Sequence, residues 1–545
     1  MGLFTYFLFK TVLTVKQRPF YRAMMNAAKD PNLTQEEVLK RIVHTNRDTE
    51  FGRKHQFNGV ETVEQYRTQV PVHDFELLRP YIEKQRDSGT EALTAEPVVH
   101  YNRTSGTTGT PKDVPITQTG VAETRQLSQL GAYALIQQTS IFTGKVFAIG
   151  GAAVEGHTSD GTPIGSASGL IYRQQSRFVR TRYAIPPEAF DVQDSELRYV
   201  VMAIYGLREQ RVSTMATANP STFVRLLEVI NNNSDDILTH IKLGTLPNCE
   251  ISLPIVQANP ARAEQLRNLI SKRQTLTYSD IWPNVKGVVV WCGGSCRFAV
   301  SKLRKLLPSK TQIIELGYNA SEVRGTINVD INKNLCLPSL QHVYFEFVPV
   351  DEWENDQQNF LGLHELQEDT FYYIFITTSS GLYRYNINDV VRVTGKIHAT
   401  PTLEFVRKGR GVTNITGEKL TESQVMEGME QLCSELSIDP DFFVLLADEL
   451  KSSYVLCIEL NSYHDPNALI QAFDRILQRL NIEYESKRKS ERLGAMRYHR
   501  LPAGAGYTYR SELIRAGQRD SQFKYQHLQC LRTTSLQLGT SSTTT

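Results

Sequence analysis

Apolar and polar residues recur along this chain with two different periods, and the change from one to the other divides it. From residue 33 to about 95 the apolar positions fall at helical spacing. Thr34 with Glu37, and Thr62 with Gln65, set a hydroxyl three residues ahead of a carboxylate or amide, the capping-box pattern that predicts a helix start. From Val98 onward short β-branched and aromatic runs take over, at 146–149, 288–291, 313–314, 343–348 and 371–377, alternating with helical stretches. Strands interleaved with helices predict an α/β protein with a largely covered sheet. The later strands follow one another too closely for helical crossovers, so part of the sheet is expected to be antiparallel.

A second unit begins near Gly417. The runs 442–446 and 454–460, joined by a polar turn, predict a hairpin. A helix should follow, with Asp465 as N-cap, Pro466 at its first position, and Leu469, Ile470, Phe473, Ile476, Leu477 and Leu480 on one face. This gives an expected division into residues 1–415, a smaller α+β domain at 416–532, and a Ser/Thr-rich disordered tail at 533–545. The apolar N-terminus, Gly2 to Phe9, is interrupted by Lys10 and is too short to span a bilayer. No positive residue precedes it as a secretory signal requires. It reads as an amphipathic helix that lies either on the body of the protein, the favoured reading, or on a membrane surface.

At 545 residues the chain exceeds what one hydrophobic core serves, in agreement with two domains. A formal net charge of +2 gives no general attraction for nucleic acid or anionic lipid, so any anion must be bound locally. Seven cysteines, an odd number with one close pair (Cys292 and Cys296), make neither a disulfide framework nor a zinc site. They point to reduced thiols and the cytosol.

The stretch Asn102-Arg103-Thr104-Ser105-Gly106-Thr107-Thr108-Gly109-Thr110-Pro111-Lys112 contains nothing apolar to bury. Its glycines can turn backbone N–H groups toward an anion, its hydroxyls can donate to phosphate oxygens, and Lys112 supplies charge. Its spacing is not that of the common phosphate loop, and a flexible polar connector would have the same composition. Three further segments carry candidate chemistry. Gly293-Gly294 ends the strand run 288–291, as a tight turn or a place where a flat base approaches the backbone. Tyr318-Asn319-Ala320-Ser321-Glu322 follows a short strand, where open α/β sheets bind ligands. Tyr318 could stack on a purine, Ser321 could donate to phosphate, and Glu322 could hold Mg²⁺. Asp389 falls where two strand runs meet; it could accept ribose hydroxyls or cap a turn.

In this order the four segments resemble the motif succession of the acyl-adenylate-forming, AMP-binding superfamily. Within it the chain is most similar to the auxin-responsive Gretchen Hagen family of acyl acid–amido synthetases. That resemblance rests on Phe51-Gly52, Tyr66-Arg67, Val70-Pro71, Pro80-Tyr81-Ile82, Ile281-Trp282-Pro283, Tyr344 to Phe347 and Gly381 to Tyr385. It continues through Gly417-Glu418-Lys419, Tyr484, Arg488 and Gln522-Phe523-Lys524. It departs at Thr107-Thr108-Gly109, where hormone-conjugating plant members tend to have Thr-Ala-Gly or Ser-Ala-Gly. It departs again at Asn386-Ile387-Asn388, where the family usually carries Arg-Val/Leu-Gly.

The resemblance implies a large adenylate-forming domain of mixed sheets flanked by helices, with a smaller mobile α+β domain. It implies ATP and Mg²⁺ as cofactors, a carboxylic acid and an amine such as an amino acid as substrates, and release of AMP and pyrophosphate. The residues 104–109 and Lys112 would hold the β- and γ-phosphates, Ser321 the α-phosphate, and Glu322 the metal. Tyr318 would lie on adenine beside Gly293 and Gly294, Asn319 would contact the nucleotide, and Asp389 would bind the ribose. Arg407, or alternatively Arg410, would contact the nucleotide near the hinge, and Lys524 would reach the α-phosphate. A coenzyme A ligase or a non-catalytic nucleotide-binding protein would share much of this pattern. The expected state is a cytoplasmic monomer with no nucleic-acid partner and no stable membrane insertion.

Overall fold

A computed structural model describes residues 3–103, 112–173, 175, 177–294, 296–355, 357–409, 412–413, 415, 418, 420–489, 493–516, 523–532, 534 and 536. These fall into two compact units, the larger from 3–292 and 299–405, the smaller from 293–298, 406–516 and 523–536.

The larger unit is mixed α/β. At its centre Lys145–Ala148, Val212–Ala216, Gly287–Val290 and Gln312–Glu315 form a sheet with every neighbouring pair parallel. Alternation explains why it is buried on both faces. Val288 and Val290 join a core with the helices Ser195–Arg208, Ser221–Asn232, Ser234–Leu243 and Pro260–Arg273, whereas Val289 packs with Ile141, Ile314 and Ile331. The expected antiparallel portion is a second sheet, Tyr344–Pro349, Phe371–Thr377, Tyr385–Ile397 and Thr400–Lys408 in spatial order. A third sheet is built on the hairpin Val98–Arg103 and Asp113–Thr117.

Two local expectations need correction. Thr34 does not cap a helix: Pro31–Thr45 begins earlier, with Asp30 as N-cap accepting the Leu33 N–H at 3.1 Å. Pro31 at the first helical position has its φ preset and no N–H to satisfy, so the start shifts to it. The Thr62–Gln65 box is present as expected. Nor do two strands meet at Asn386 to Asp389. Tyr385–Ile397 is one strand carrying a bulge, and Asn388 takes φ 58° there. Asparagine tolerates that left-handed conformation better than most residues, which accounts for Asn388 at this position.

The N-terminal helix Leu3–Ala27 docks on the helix Gln118–Gln138 through Gln17 Nε2 to Gln129 Oε1 at 2.8 Å and through Tyr21 against Tyr133. No helix among the described residues is long and apolar enough to cross a membrane.

In the smaller unit the strands Arg497–Arg500, Ser453–Glu459, Phe442–Asp448 and Leu528–Cys530 lie side by side in that order. The central pair forms the expected antiparallel hairpin. Phe443, Leu445, Leu456 and Ile458 face the helices Glu422–Leu436 and Pro466–Leu480, while Phe442, Val444 and Val455 face Tyr509 on the other side. Asp465 caps the helix that starts at Pro466, as its sequence predicts. Of the tail from residue 533, only Thr534 and Leu536 are described, and Leu536 packs with the Phe442 group.

Candidate functional site

From Thr104 to Lys112 the polar stretch separates, in sequence, the two strands of the first hairpin. Val98–Arg103 and Asp113–Thr117 pair in a register that sets Arg103 opposite Asp113. Arg103 Nε and Nη2 donate to Asp113 Oδ1 and Oδ2 at 2.8 and 2.9 Å, a fork-to-carboxylate clasp across the base of the stretch. Thr104, Ser105, Gly106, Thr107, Thr108 and Gly109 lie outside the described residues. Lys112, just past them, is half-buried and holds its Nζ 5.6 Å from the centre of the Phe75 ring.

One residue before the clasp, Asn102 Nδ2 donates to the Ser321 carbonyl at 2.9 Å, so the hairpin is tied directly to the Tyr318–Glu322 segment. That segment is a tight loop at the C-terminal end of the parallel strand Gln312–Glu315. Gly325 and Thr326 donate their N–H groups to the Tyr318 carbonyl at 2.9 and 3.1 Å, and Asn319 Nδ2 donates to the Gly317 carbonyl at 2.9 Å. Tyr318 is buried, its ring parallel to Phe405 with centroids 6.0 Å apart. Its Oη donates to Asp389 Oδ2 at 2.8 Å, across 71 residues of sequence. Burial, then the neighbouring Asp389, holds the Tyr318 phenol well above its usual range, so it stays a donor. Glu322 is half-buried, and its charge also acts on Tyr318 and Tyr385.

Asp389 does not cap the turn. Asn386 Oδ1 performs that task, accepting the Asn388 N–H at 2.7 Å. Asp389 instead lies inside the strand, 2% exposed, with its carboxylate on Tyr318. The structure thus brings together Asn102, Tyr318, Asn319, Ser321, Glu322 and Asp389 in the larger unit. Gly293, Gly294, Arg407 and Lys524 belong to the smaller unit. There Gly294, at φ 57°, forms the turn into the helix Cys296–Leu306, and the Gly293 and Gly294 carbonyls accept the Cys296 and Arg297 N–H groups at 3.3 Å. Arg407 is buried. Lys524 is half-buried near Glu422, whose carboxyl is pushed up to about 7 by burial, against the His527 N–H and Lys524.

Three contributors carry no role in the sequence reading. Asn102 and Arg103 open the polar stretch and Asp113 follows it, and the opposite charges of Arg103 and Asp113 on either side of the glycines were the available signal. Glu315 is the third. Its Oε2 accepts the Cys292 N–H at 2.7 Å and its Oε1 the Gly317 N–H at 2.8 Å, which fixes the chain ahead of Gly293 and ahead of Tyr318. Burial raises its carboxyl, opposed by those two N–H bonds.

The backbone leading to Asp389 is held by His73. Its N–H donates to the Arg384 carbonyl at 3.0 Å and its carbonyl accepts the Asn386 N–H at 2.8 Å. Its Nδ1 bonds the Tyr383 carbonyl at 3.1 Å. Burial, aided by His55, pushes the imidazole down from 6.5 to about 4. The folded chain therefore keeps it neutral while the unfolded chain takes up a proton near pH 6.5. Stability from this group is present above that pH and is lost as pH falls toward 4, by about 3 kcal/mol in all. His73→Gln keeps an amide donor for Tyr383, and should flatten the acid limb of the urea midpoint against pH. Tryptophan fluorescence reads this, because Trp282, Trp291 and Trp353 all lie in the larger unit.

The larger unit, with its parallel sheet, and the small α+β unit that follows it in sequence have the fold of adenylate-forming enzymes. The protein resembles 2-hydroxyisobutyryl-CoA ligase in the postadenylation state in complex with 2-HIB-AMP, with a TM-score of 0.54 over 91% of this chain and 88% of that one, at 11% identity. The chain belongs to the GH3 family: the models of its N-terminal, central and C-terminal domains match residues 20–313, 336–408 and 423–532. It is similar to AtGH3.15 acyl acid amido synthetase in complex with 2,4-DB, with a TM-score of 0.82, 20% identity and 94% of each chain covered. Among curated proteins, the jasmonoyl–L-amino acid synthetase JAR6 of Nicotiana attenuata is 25% identical over 532 residues, 91% of this chain and 90% of the relative.

Proposed function

We propose that this protein is an ATP-dependent acyl acid–amido synthetase: it activates a carboxylic acid as its adenylate and transfers the acyl group to an amine, in the first place an amino acid. The observation that carries the reading is the pair of bonds Asn102–Ser321 and Tyr318–Asp389, which gather into one place segments that are far apart in sequence and suited to phosphate, adenine and ribose. The relatives' names add the amide-forming outcome.

A carboxylate is a poor electrophile because its charge repels nucleophiles and oxide leaves badly. In the first half-reaction a carboxylate oxygen attacks the α-phosphorus of ATP and pyrophosphate departs. In the second an amine attacks the acyl carbon, loses a proton, and AMP departs with the former carboxylate oxygen. The residues 104–109 and Lys112 would hold the β- and γ-phosphates, and Ser321 the α-phosphate. Tyr318 and Asn319 would line the adenine, and Asp389 would accept the ribose hydroxyls now mimicked by the Tyr318 phenol. Gly293, Gly294, Arg407 and Lys524 are assigned to the nucleotide by the family pattern, with a C-terminal domain at residues 416–532 that would move between half-reactions.

Among the described residues no three His, Cys, Asp or Glu side chains gather as a metal site. Mg²⁺ fits a site of another kind, one carboxylate together with substrate phosphate oxygens, and Glu322 offers that carboxylate. When bound it would neutralise charge on the phosphates. Glu322→Gln should lower kcat about 10²–10³-fold, and raise the Mg²⁺ concentration giving half-maximal rate, without changing the KM of the acid. The cytosol and a monomeric state complete the reading.

A pyrophosphate-release assay across a panel of carboxylic acids, with and without amino acids or coenzyme A, tests the function. Release that needs an acid, with amide formed when an amino acid is added, is expected. No release in any combination would remove the enzyme reading, and turnover dependent on coenzyme A would replace it with thioester formation.

A further inference from the structure

The N-terminal helix Leu3–Ala27 has an apolar face it does not use. At about 100° per residue, Gln17, Tyr21 and Met24 point one way, into the body, where Gln17 bonds Gln129 and Tyr21 meets Tyr133. Leu8, Val12, Val15 and Pro19, at spacings of four, three and four, point the opposite way and are exposed. Val15 is 70% exposed and Leu8 45%. A water-facing stripe of this kind is unusual on a helix already docked by its other side.

The charge around the stripe is one-sided. Lys16 lies along one border, Arg18 and Arg22 along the other, and all three are exposed. The first 29 residues contain Lys10, Lys16, Arg18, Arg22 and Lys29 with no Asp or Glu, although the whole chain has a formal net charge of only +2. At the far end Phe20 borders a depression lined by Glu37 and Glu123, and Asp330 acts on Tyr21. An apolar stripe edged by basic side chains is the pattern of a helix lying in the plane of an anionic lipid surface, the stripe among the acyl chains and the cations at the headgroups.

We propose that this helix is a reversible docking surface for anionic membrane, its inner face holding the protein and its outer face holding lipid. The helix lies on the bilayer and does not cross it. A single amphipathic helix gives marginal, reversible binding, so the interaction should respond to lipid charge and to salt.

The test is co-sedimentation of the full chain with phosphatidylcholine vesicles, with and without phosphatidylserine, at low and high salt. Binding is expected only with phosphatidylserine and should fall at high salt. Lys16→Glu with Arg18→Glu should reduce partitioning at least about 25-fold, since each basic residue near such a surface is worth about fivefold. Leu8→Ser with Val15→Ser should reduce it comparably. Both variants change exposed positions and should keep the parent melting temperature and pyrophosphate release. Absence of binding to either vesicle would overturn the proposal. So would loss of concentration-dependent self-association in the same variants without any lipid binding, which would make the stripe a contact between copies of the chain. Equal binding to both vesicles, unmoved by the charge reversals, would also overturn it.

Discussion

Glu346→Ala is expected to destabilise the larger unit by about 3–5 kcal/mol. Glu346 is 1% exposed in the strand Tyr344–Pro349 and accepts Arg67 Nε and Arg384 Nε, each at 2.9 Å. Arg384 is itself buried at a turn with φ 43°, donating through Nη1 to the Arg67 and Val70 carbonyls at 3.0 and 2.9 Å. Removing the carboxylate leaves the buried Arg384 guanidinium without its ion partner and the half-buried Arg67 without its own. Replacing a whole ion-pair network by apolar groups can be neutral, but removing one member strands the rest. The transition should be followed by tryptophan fluorescence in urea, and the loss should appear as a lower midpoint at unchanged slope. A shift below about 1 kcal/mol, the range of exposed pairs, would show that water reaches this cluster.

The second large effect is on binding. Asp389→Asn keeps the volume of the side chain and an oxygen to accept the Tyr318 Oη, so the fold should be preserved. What it removes is the charge on an acceptor proposed for the ribose. A hydrogen bond to a charged group is worth about 1.5–3 kcal/mol, so the KM for ATP should rise about 10–100-fold with little change in urea midpoint. An unchanged KM with a large loss of stability would mean that the Tyr318–Asp389 bond serves only the core.

Both residues lie in motifs visible in the sequence. Features set by a few neighbouring residues were legible: the Thr62–Gln65 box, the Asp465–Pro466 helix start, the hairpin of the smaller unit and the antiparallel portion of the sheet. Where two local signals compete, the weaker one misled. Asp30 followed by Pro31 starts a helix more strongly than Thr34 with Glu37, because proline fixes the first turn. The Asn386–Asp389 segment read as a break because a bulge interrupts the alternation without ending the strand. The contacts that assemble the site were out of reach for a different reason. Asn102 finds Ser321 across 219 residues and Tyr318 finds Asp389 across 71, and nothing local encodes such a pairing. Glu315 shows the same limit, since a carboxylate that organises two loops by accepting their N–H groups looks, in sequence, like any strand-end acid.

The central claim is that a carboxylate oxygen passes through an acyl-adenylate on its way to an amide. It is tested most directly by supplying an acid that supports pyrophosphate release with both carboxylate oxygens labelled with ¹⁸O, together with ATP, Mg²⁺ and an amino acid, and no coenzyme A. Mass spectrometry of the products should find one labelled oxygen in AMP and the other in the amide carbonyl. Label in inorganic phosphate with ADP as co-product, or amide formed without labelled AMP, would contradict it.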